Sequence, residues 1–252
     1  MKIAVCVKHA VDETELKLDP SGKPQMSGAA SKMSAFDKNA VEEGLRLKAK
    51  HTGEVAVLTV GGAESRKTMK EALAMGADRG ILITGDPLAM DAFRTAELLA
   101  AAATKAGPFD AILCSEGSSD TYSGSVPPML GELLGVPFLG YARKIEVEGN
   151  TARVERSLED SVEVVEVPLP FVASVVSEIN EPRYPTLIQI MQASKKPIEE
   201  VMQETIPSRA IGRVTLVSMS AQPTSRKHVM IDGSPDEAAA KLLEALKKEG
   251  VI

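Results

Sequence analysis

Short apolar runs alternate with amphipathic stretches through the first two thirds of the chain. Runs rich in β-branched and other apolar residues predict four strands, at Ile3–Val7, Val55–Val60, Gly80–Ile83 and Ala111–Cys114. Apolar residues at helical spacing predict helices at Asp37–Lys50, Ser65–Met75 and Ala89–Ala106, and another that starts near Ser125. This order predicts an α/β fold with a doubly wound, mainly parallel sheet that helices cover on both faces.

The pattern changes after Gly140, where polar and apolar residues begin to alternate. Lys144–Val154 predicts a β-hairpin with its turn at Glu148–Asn150, and Val162–Val167 and Phe171–Val176 predict further strands added to the sheet. Residues 178–185, with the sequence EINEPRYP, interrupt the pattern with two prolines before a short helix at Leu187–Ala193. We therefore assign residues 1–192 to one α/β domain.

The last sixty residues predict an extended C-terminal arm, residues 193–252. Pro197, Pro207 and Pro223 break this part of the chain, and residues 206–229 predict little regular structure. A helix is expected at Pro235–Lys248, with Ser234 as its N-cap. We expect the arm and its helix to pack on a partner chain, although packing on the same chain's own domain is the alternative.

Composition and charge narrow the function. The 252 residues carry a formal net charge of −6, which argues against nucleic-acid binding because a phosphate backbone requires a dense basic surface. The apolar run at the N-terminus is too short for a secretory signal, and no stretch approaches a membrane span, so we expect a cytoplasmic protein. Cys6 and Cys114 are isolated in sequence, which predicts buried free thiols and no metal site.

The loop after the fourth predicted strand is the strongest local signal for a ligand. Residues 115–125, with the sequence SEGSSDTYSGS, are rich in serine and also contain one threonine and two glycines, just before a predicted helix. Hydroxyl and N–H donors at a helix N-terminus bind phosphate well, and Asp120 is suited to a ribose or to a structural cap. The alternative is a polar loop whose serines only cap the helix.

Known catalytic and nucleotide-binding motifs are missing from the sequence. No G-x-G-x-x-G follows a strand, and no Walker loop occurs. The acidic pairs Glu42-Glu43 and Glu199-Glu200 have the pattern of solvated helix faces, and the three histidines are scattered. We therefore predict no catalytic residues.

Four segments closely resemble the beta subunits of electron-transfer flavoproteins. They are Glu178–Met191 followed by Ala193–Pro197, Met33–Lys48, Glu71–Gly80 and Val154–Arg156. The resemblance implies a Rossmann-like domain that binds an adenine nucleotide, either AMP or FAD. It also implies a heterodimer with an alpha subunit that holds the electron-carrying FAD. The low aromatic content, with no Trp, fits that division.

The resemblance also implies where the nucleotide and the redox partners bind. Carried onto this sequence, the nucleotide is lined by Cys6, Ser34, Ala35, Phe36, Asp37, Val60, Ser115, Glu116, Gly117, Ser118, Ser119, Asp120, Thr121, Tyr122, Ser123, Gly124, Ser125 and Val126. Residues 178–192 correspond to a docking loop in which Leu187 enters a pocket of flavoprotein dehydrogenases such as acyl-CoA dehydrogenase. An ordinary helix-packing leucine is the alternative for Leu187. Electrons would pass on to a quinone reductase or a ferredoxin.

The nucleotide loop departs from the pattern of many relatives. Residues 120–128 read DTYSGSVPP, where many relatives have D-G-D-T-A-Q-V-G-P or an acidic run followed by Gln or Asn and Thr. The loop is more similar to the subunits associated with nitrogen fixation and with carnitine or acyl-CoA operons, which leaves AMP and FAD both open. A stand-alone adenine-nucleotide-binding enzyme or stress-type sensor is the alternative function. The lack of an S-G-G-x-[DS]-S loop after the first strand counts against it.

Overall fold

The computed structural model describes residues 1–26, 28–86, 90–207, 214, 217–221 and 228–252. The strands are β1 (Lys2–Cys6), β2 (His9–Val11), β3 (Ser31–Met33), β4 (Glu54–Gly61), β5 (Arg79–Thr84), β6 (Ala111–Ser115), β7 (Phe138–Glu148), β8 (Thr151–Ser157), β9 (Val162–Pro168), β10 (Phe171–Val175) and β11 (Ile198–Met202). The α-helices are α1 (Ala35–His51), α2 (Arg66–Met75), α3 (Ala92–Ala106), α4 (Val126–Leu134), α5 (Leu187–Ala193) and α6 (Pro235–Lys248).

A nine-stranded, mainly parallel sheet forms the core of the fold. Its order is β11-β5-β4-β1-β6-β10-β7-β8-β9, and every pair from β11 to β7 is parallel. β8 and β9 continue the sheet in antiparallel pairing, with the predicted turn between β7 and β8. The predicted α/β fold, with its doubly wound parallel sheet and added hairpin, is confirmed.

Alternate residues of the central strands supply two separate hydrophobic cores. Ile3 and Val5 pack in one core, which also contains Leu45 of α1 and Leu73 of α2. The intervening residues of β1 face the other core, with Leu98 of α3 and Leu130 of α4. Helix α1 lies very close to β1, because a Cβ at Gly44 would be 2.9 Å from Val5 Cγ2. This contact packs the middle of α1 closely against β1.

Two strand pairings were not predicted from the sequence. β2 and β3 form a small antiparallel sheet of their own. β11 pairs in parallel with β5 at the edge of the main sheet, so residues 198–202 of the predicted arm belong to that sheet. Glu199 and Glu200 therefore lie on an exposed edge strand and not on a helix, and only Val201 of this strand is buried.

The chain divides into two compact units, Met1–Met219 and Ser220–Ile252. The second unit contains α6, whose bounds agree with the prediction. Ser234 is its N-cap and forms a capping box with Glu237. Much of the segment predicted to lack regular structure, residues 206–229, and Ala89 of the predicted third helix lie outside the described residues. None of the helices formed by the described residues has the length and apolar character that a membrane crossing needs.

Candidate functional site

The ends of β1 and β6 and the start of α1 bring polar side chains together at the carboxyl edge of the sheet. We call Lys8, Asp37, Ser115, Ser118 and Asp120 the strand-end cluster. Parallel strands place their carboxyl ends on one edge, where ligands of doubly wound folds bind. The cluster therefore lies where the sheet topology favours a ligand site.

Lys8 is a member of this cluster that the sequence did not single out. Its Nζ donates to Asp120 Oδ1 at 2.7 Å and to the hydroxyls of Ser118 and Thr121 at 3.3 Å. The Lys8 side chain is still 40% exposed, so its ammonium group is accessible from the solvent side of the site. The available signal in the sequence was a basic residue directly after the first predicted strand, Ile3–Val7.

Asp37 joins the start of α1 to both strand ends. Its Oδ2 accepts from the backbone N–H of Lys8 at 2.6 Å, and its Oδ1 accepts from the Ser115 hydroxyl at 2.5 Å. Burial raises the pKa of Asp37 to about 7, although the hydrogen bonds from Ser115 and Lys8 oppose that rise. Because the carboxyl group is buried and both oxygens are engaged within the chain, Asp37 positions the site from beneath.

Asp120 fixes the loop after β6 in a different way. Burial alone would raise its pKa, but the hydrogen bonds from Lys8 and Ser118 more than offset this and lower the pKa below its usual value. Its Oδ2 also accepts from the backbone N–H of Val11, at 3.3 Å. The loop is further tied to α1, since the N–H of Ser119 donates to Ser34 Oγ at 3.2 Å. Asp120 is thus an ionised residue that holds Lys8 in place.

Several donors of the loop have no partner among the residues that the structure describes. Ser119 Oγ is buried without a hydrogen bond among the described residues. The backbone N–H groups of Ser123, Gly124 and Ser125 are likewise free in the part of the chain that the structure describes. Ser125 is the N-cap residue of α4, yet its hydroxyl donates to Ser123 O and does not cap the helix. Unpaired donors at a helix N-terminus next to Lys8 fit a phosphate group.

Aromatic side chains border the same loop. Phe36 and Tyr122 contact each other edge to face, with ring centroids 5.5 Å apart. Tyr122 is about half exposed, has φ of 45°, and lies so close to Gly117 that a Cβ there would be 2.8 Å from its ring. Burial raises the pKa of Glu116, and the interaction with the Tyr122 hydroxyl opposes that rise. The backbone of Tyr122 is strained, and its ring is half exposed beside the unpaired donors of the loop. Such a ring offers a stacking surface for a planar base.

The structure places the other predicted site residues in two groups. Cys6, Ser34, Asp37, Ser115 and Gly117 are buried. An interaction with Cys6, together with burial, raises the pKa of the Cys114 thiol well above its usual value. The predicted buried free thiols are therefore confirmed. The residues with at least partly exposed surface are Ala35, Phe36, Val60, Glu116, Ser118, Ser119, Asp120, Thr121, Tyr122, Ser123, Gly124, Ser125 and Val126.

Leu187 lies outside this cluster, at the first position of α5. It is 80% exposed, so it does not pack within its own chain as an ordinary helix-packing leucine would. Tyr184, Ile188 and Met191 are also largely exposed, and Ala193 is the buried residue of the helix. An exposed apolar patch of this kind marks a surface for contact with another molecule.

One interpretation of the sequence was wrong at Glu42 and Glu43. These side chains were expected on a solvated helix face, but the two residues are only 4% and 6% exposed. Glu42 accepts from Arg183, and Glu43 accepts from Asn180. A signal that could have found these contacts is Arg183 itself, a basic residue held between two prolines in a segment that needs an anchor.

Comparisons with known proteins agree with this architecture. The sequence profile of the "Electron transfer flavoprotein domain" family matches residues 25–205. The chain is 34% identical to "Electron transfer flavoprotein subunit beta" of Bacillus subtilis over 257 residues, covering 100% of both chains. It is also 34% identical to the subunit of the same name from Thermoanaerobacterium thermosaccharolyticum over 263 residues, again covering 100% of both. The chain therefore belongs to the electron transfer flavoprotein family, in which it aligns over its whole length with beta subunits.

Proposed function

We propose that this chain works in the cytoplasm within a heterodimer, as the subunit that binds an adenine nucleotide and docks the complex onto its redox partners. The alpha subunit would carry the electron-transferring FAD beside it. The chain would accept electrons from flavoprotein dehydrogenases such as acyl-CoA dehydrogenase and pass them to a quinone reductase or a ferredoxin. Of the predicted C-terminal arm, residues 193–252, the part that follows β11 would pack on the alpha subunit.

The observation that carries the proposal is the set of unmatched donors around Lys8. Ser119 Oγ and the free N–H groups of residues 123–125 belong to the loop that Lys8 binds through Ser118, Asp120 and Thr121, and this loop leads into α4. These groups would bind the phosphate of AMP or the pyrophosphate of FAD. Tyr122 and Phe36 would contact the base, while Asp37 and Ser115 hold the strand ends in place from below.

The residues of this chain bind and position, and they are not proposed to transfer electrons themselves. A flavin supplies the redox chemistry when it is bound, and the protein contributes its orientation and surroundings. Lys8 neutralises phosphate charge, and the buried Asp37 keeps β1, β6 and α1 in register. A nucleotide at this edge of the sheet would therefore also have a structural role.

The exposed apolar side chains of α5 support the docking part of the proposal. Leu187 would enter a pocket on the dehydrogenase, because a projecting apolar anchor is typical of the few residues that dominate an interface. The subtype associated with nitrogen fixation and carnitine or acyl-CoA operons belongs to the same proposal. It rests on the form of the loop at residues 120–128.

The test is to coexpress the chain with its alpha subunit, purify the complex, denature it, and quantify the FAD and AMP released per heterodimer. One FAD with one AMP would support a simple electron carrier. Two FAD would support a flavin in the strand-end cluster and a bifurcating complex. If no complex forms and no nucleotide is released, the proposed function is wrong.

A further inference from the structure

The docking segment, residues 178–192, leaves most of its apolar side chains exposed, although Ile179 at its start packs against the core. Tyr184, Leu187 and Met191 are each more than two thirds exposed. A short segment with so little buried apolar surface needs other contacts to hold one conformation. Polar contacts from α1 and α2 provide them at both ends of the segment.

Arg183 and Glu42 form the first of these contacts. Arg183 Nε and Nη2 donate to the two carboxylate oxygens of Glu42 at 2.7 and 2.9 Å, and the Arg183 backbone N–H donates to Glu42 Oε2 at 3.2 Å. Burial alone would raise the pKa of Glu42, but Arg183 more than offsets this and lowers it. A two-pronged bond of this kind fixes orientation as well as distance.

Asn180 and Asn39 form the second contact. Asn180 is three positions before Arg183 in the docking segment, and Asn39 is three positions before Glu42 in α1. Asn39 Nδ2 donates to the carbonyl oxygens of Asn180 and Ser177, at 2.8 and 3.1 Å. In return, Asn180 Nδ2 donates to Asn39 O at 3.0 Å and to Glu43 Oε2 at 3.1 Å. The start of the docking segment is therefore bonded to α1 through side chain and backbone.

Lys196 anchors the chain just after α5. Its Nζ donates to the carbonyl oxygens of Leu73 and Ala77 at 2.8 and 2.6 Å, where α2 ends. A lysine at this position bonds to carbonyl oxygens at the end of the helix and interacts favourably with the negative end of the helix dipole. The apolar patch thus lies between two polar anchors, one on α1 and one on α2.

We propose that Glu42, Glu43 and Asn39 are positioning residues for docking, because they hold the docking segment in the conformation that presents Leu187. This inference rests on the proposed docking function. The fixed segment pays less conformational entropy when a dehydrogenase binds, which is the advantage of preorganisation. Helix α1 also carries Asp37, so one helix supports both the nucleotide site and the docking segment.

Hydrogen–deuterium exchange of the heterodimer tests the anchor directly, without any dehydrogenase. Arg183→Met removes the guanidinium group of the docking segment and leaves the sequence of α1 intact. Glu42→Gln removes the carboxylate charge on α1 that pairs with it. In both variants we expect the amides of residues 183–193 to exchange about tenfold faster, as loss of a charged hydrogen bond predicts. Exchange in α1 and the amount of bound nucleotide should stay unchanged.

Arg46→Gln is the matched control. Arg46 also bonds to Glu42, at 3.2 Å, but it is on the same helix and is not part of the docking segment. Its loss should leave exchange at residues 183–193 within twofold of the wild type. If Arg183→Met leaves that exchange unchanged, the proposal is wrong, whatever Glu42→Gln does.

Electron transfer from a purified acyl-CoA dehydrogenase separates this inference from the docking function itself. In Arg183→Met the docking segment is no longer held in one conformation, so binding the dehydrogenase must also order it. The KM for the dehydrogenase should therefore rise about fivefold, while kcat stays near the wild-type value. If exchange is faster in Arg183→Met but Leu187→Ala leaves KM unchanged, Glu42 and Arg183 do hold the segment in place, and the proposed docking function is wrong. If exchange is faster but KM changes only in Leu187→Ala, the anchor does not position the segment for docking.

Discussion

Replacing Asp37 with asparagine should make the protein more stable at neutral and alkaline pH. The Asp37 carboxyl group is buried, and burial raises its pKa to about 7 from an ordinary value of 3.8. An asparagine of the same shape can accept from the Lys8 backbone N–H and donate to Ser115 Oγ. The Ser115 hydroxyl still has Gly117 O as an acceptor, at 2.9 Å. The substitution therefore removes a buried charge and keeps a hydrogen bond at each of the two terminal side-chain atoms.

The size of the effect follows from linkage between protonation and folding. Because the pKa of Asp37 is higher in the folded chain, its contribution to stability is fully present below pH 3.8 and is lost as pH rises through about 7. At about 1.36 kcal/mol per pH unit, the loss is on the order of 4 kcal/mol. The difference in the free energy of unfolding between Asp37→Asn and wild type should therefore grow in favour of the variant between pH 4 and pH 8.

Urea denaturation of the full chain at a series of pH values measures this difference. The chain has three tyrosines and no tryptophan, so tyrosine fluorescence and far-UV circular dichroism are the suitable probes. Asp19→Asn is the control, because that carboxylate is exposed and its pKa is lowered, chiefly by the Ser21 hydroxyl. If Asp37→Asn is less stable than wild type at pH 8, the carboxylate is ionised and stabilising there, and the reasoning from burial is refuted.

Three further predictions concern binding. Lys8→Met should weaken AMP binding to the heterodimer about tenfold by calorimetry, since a charged hydrogen bond is lost; exposed Lys105→Met is the control, and equal affinities would exclude Lys8 from the site. Leu187→Ala should raise the KM for acyl-CoA dehydrogenase, while gel filtration should show an intact heterodimer. Leu18→Ala is the control and should change neither the KM nor the heterodimer. Gly117→Ala would place a Cβ 2.8 Å from the Tyr122 ring, so it should displace that ring and lower nucleotide affinity; unchanged affinity would remove Tyr122 from the binding surface.

The central strands were predictable from the sequence because they are buried on both faces. Ile3–Val7 and Val55–Val60 are nearly continuous apolar runs, as strands covered by helices on both sides must be. β11 lacks that pattern, because it lies at the edge of the sheet and carries Glu199 and Glu200 on its exposed surface. The short strands β2 and β3 give little local signal, since their pairing joins residues about twenty positions apart.

The site was predictable where its chemistry is local in sequence. The hydroxyl-rich loop before α4 is one continuous stretch, and the rule for parallel sheets places it at a ligand-binding edge. Glu42 and Arg183 are 141 residues apart, so neither side chain indicates its partner in the sequence. Arg183 between two prolines indicates that the segment is anchored, but the sequence does not show that the anchor is a buried glutamate on α1.

The Glu42–Arg183 pair is better explained by geometry than by stability. The Arg183 side chain is 45% exposed, and ion pairs with an exposed partner contribute little net free energy to folding. Two apolar side chains at these positions could also pack together, but they would not fix the direction of the segment as the ion pair does. They would also enlarge the exposed apolar surface near Tyr184 and Leu187. The two-pronged bond allows one orientation of Arg183 only. We therefore infer that the role of this contact is to set where Leu187 points.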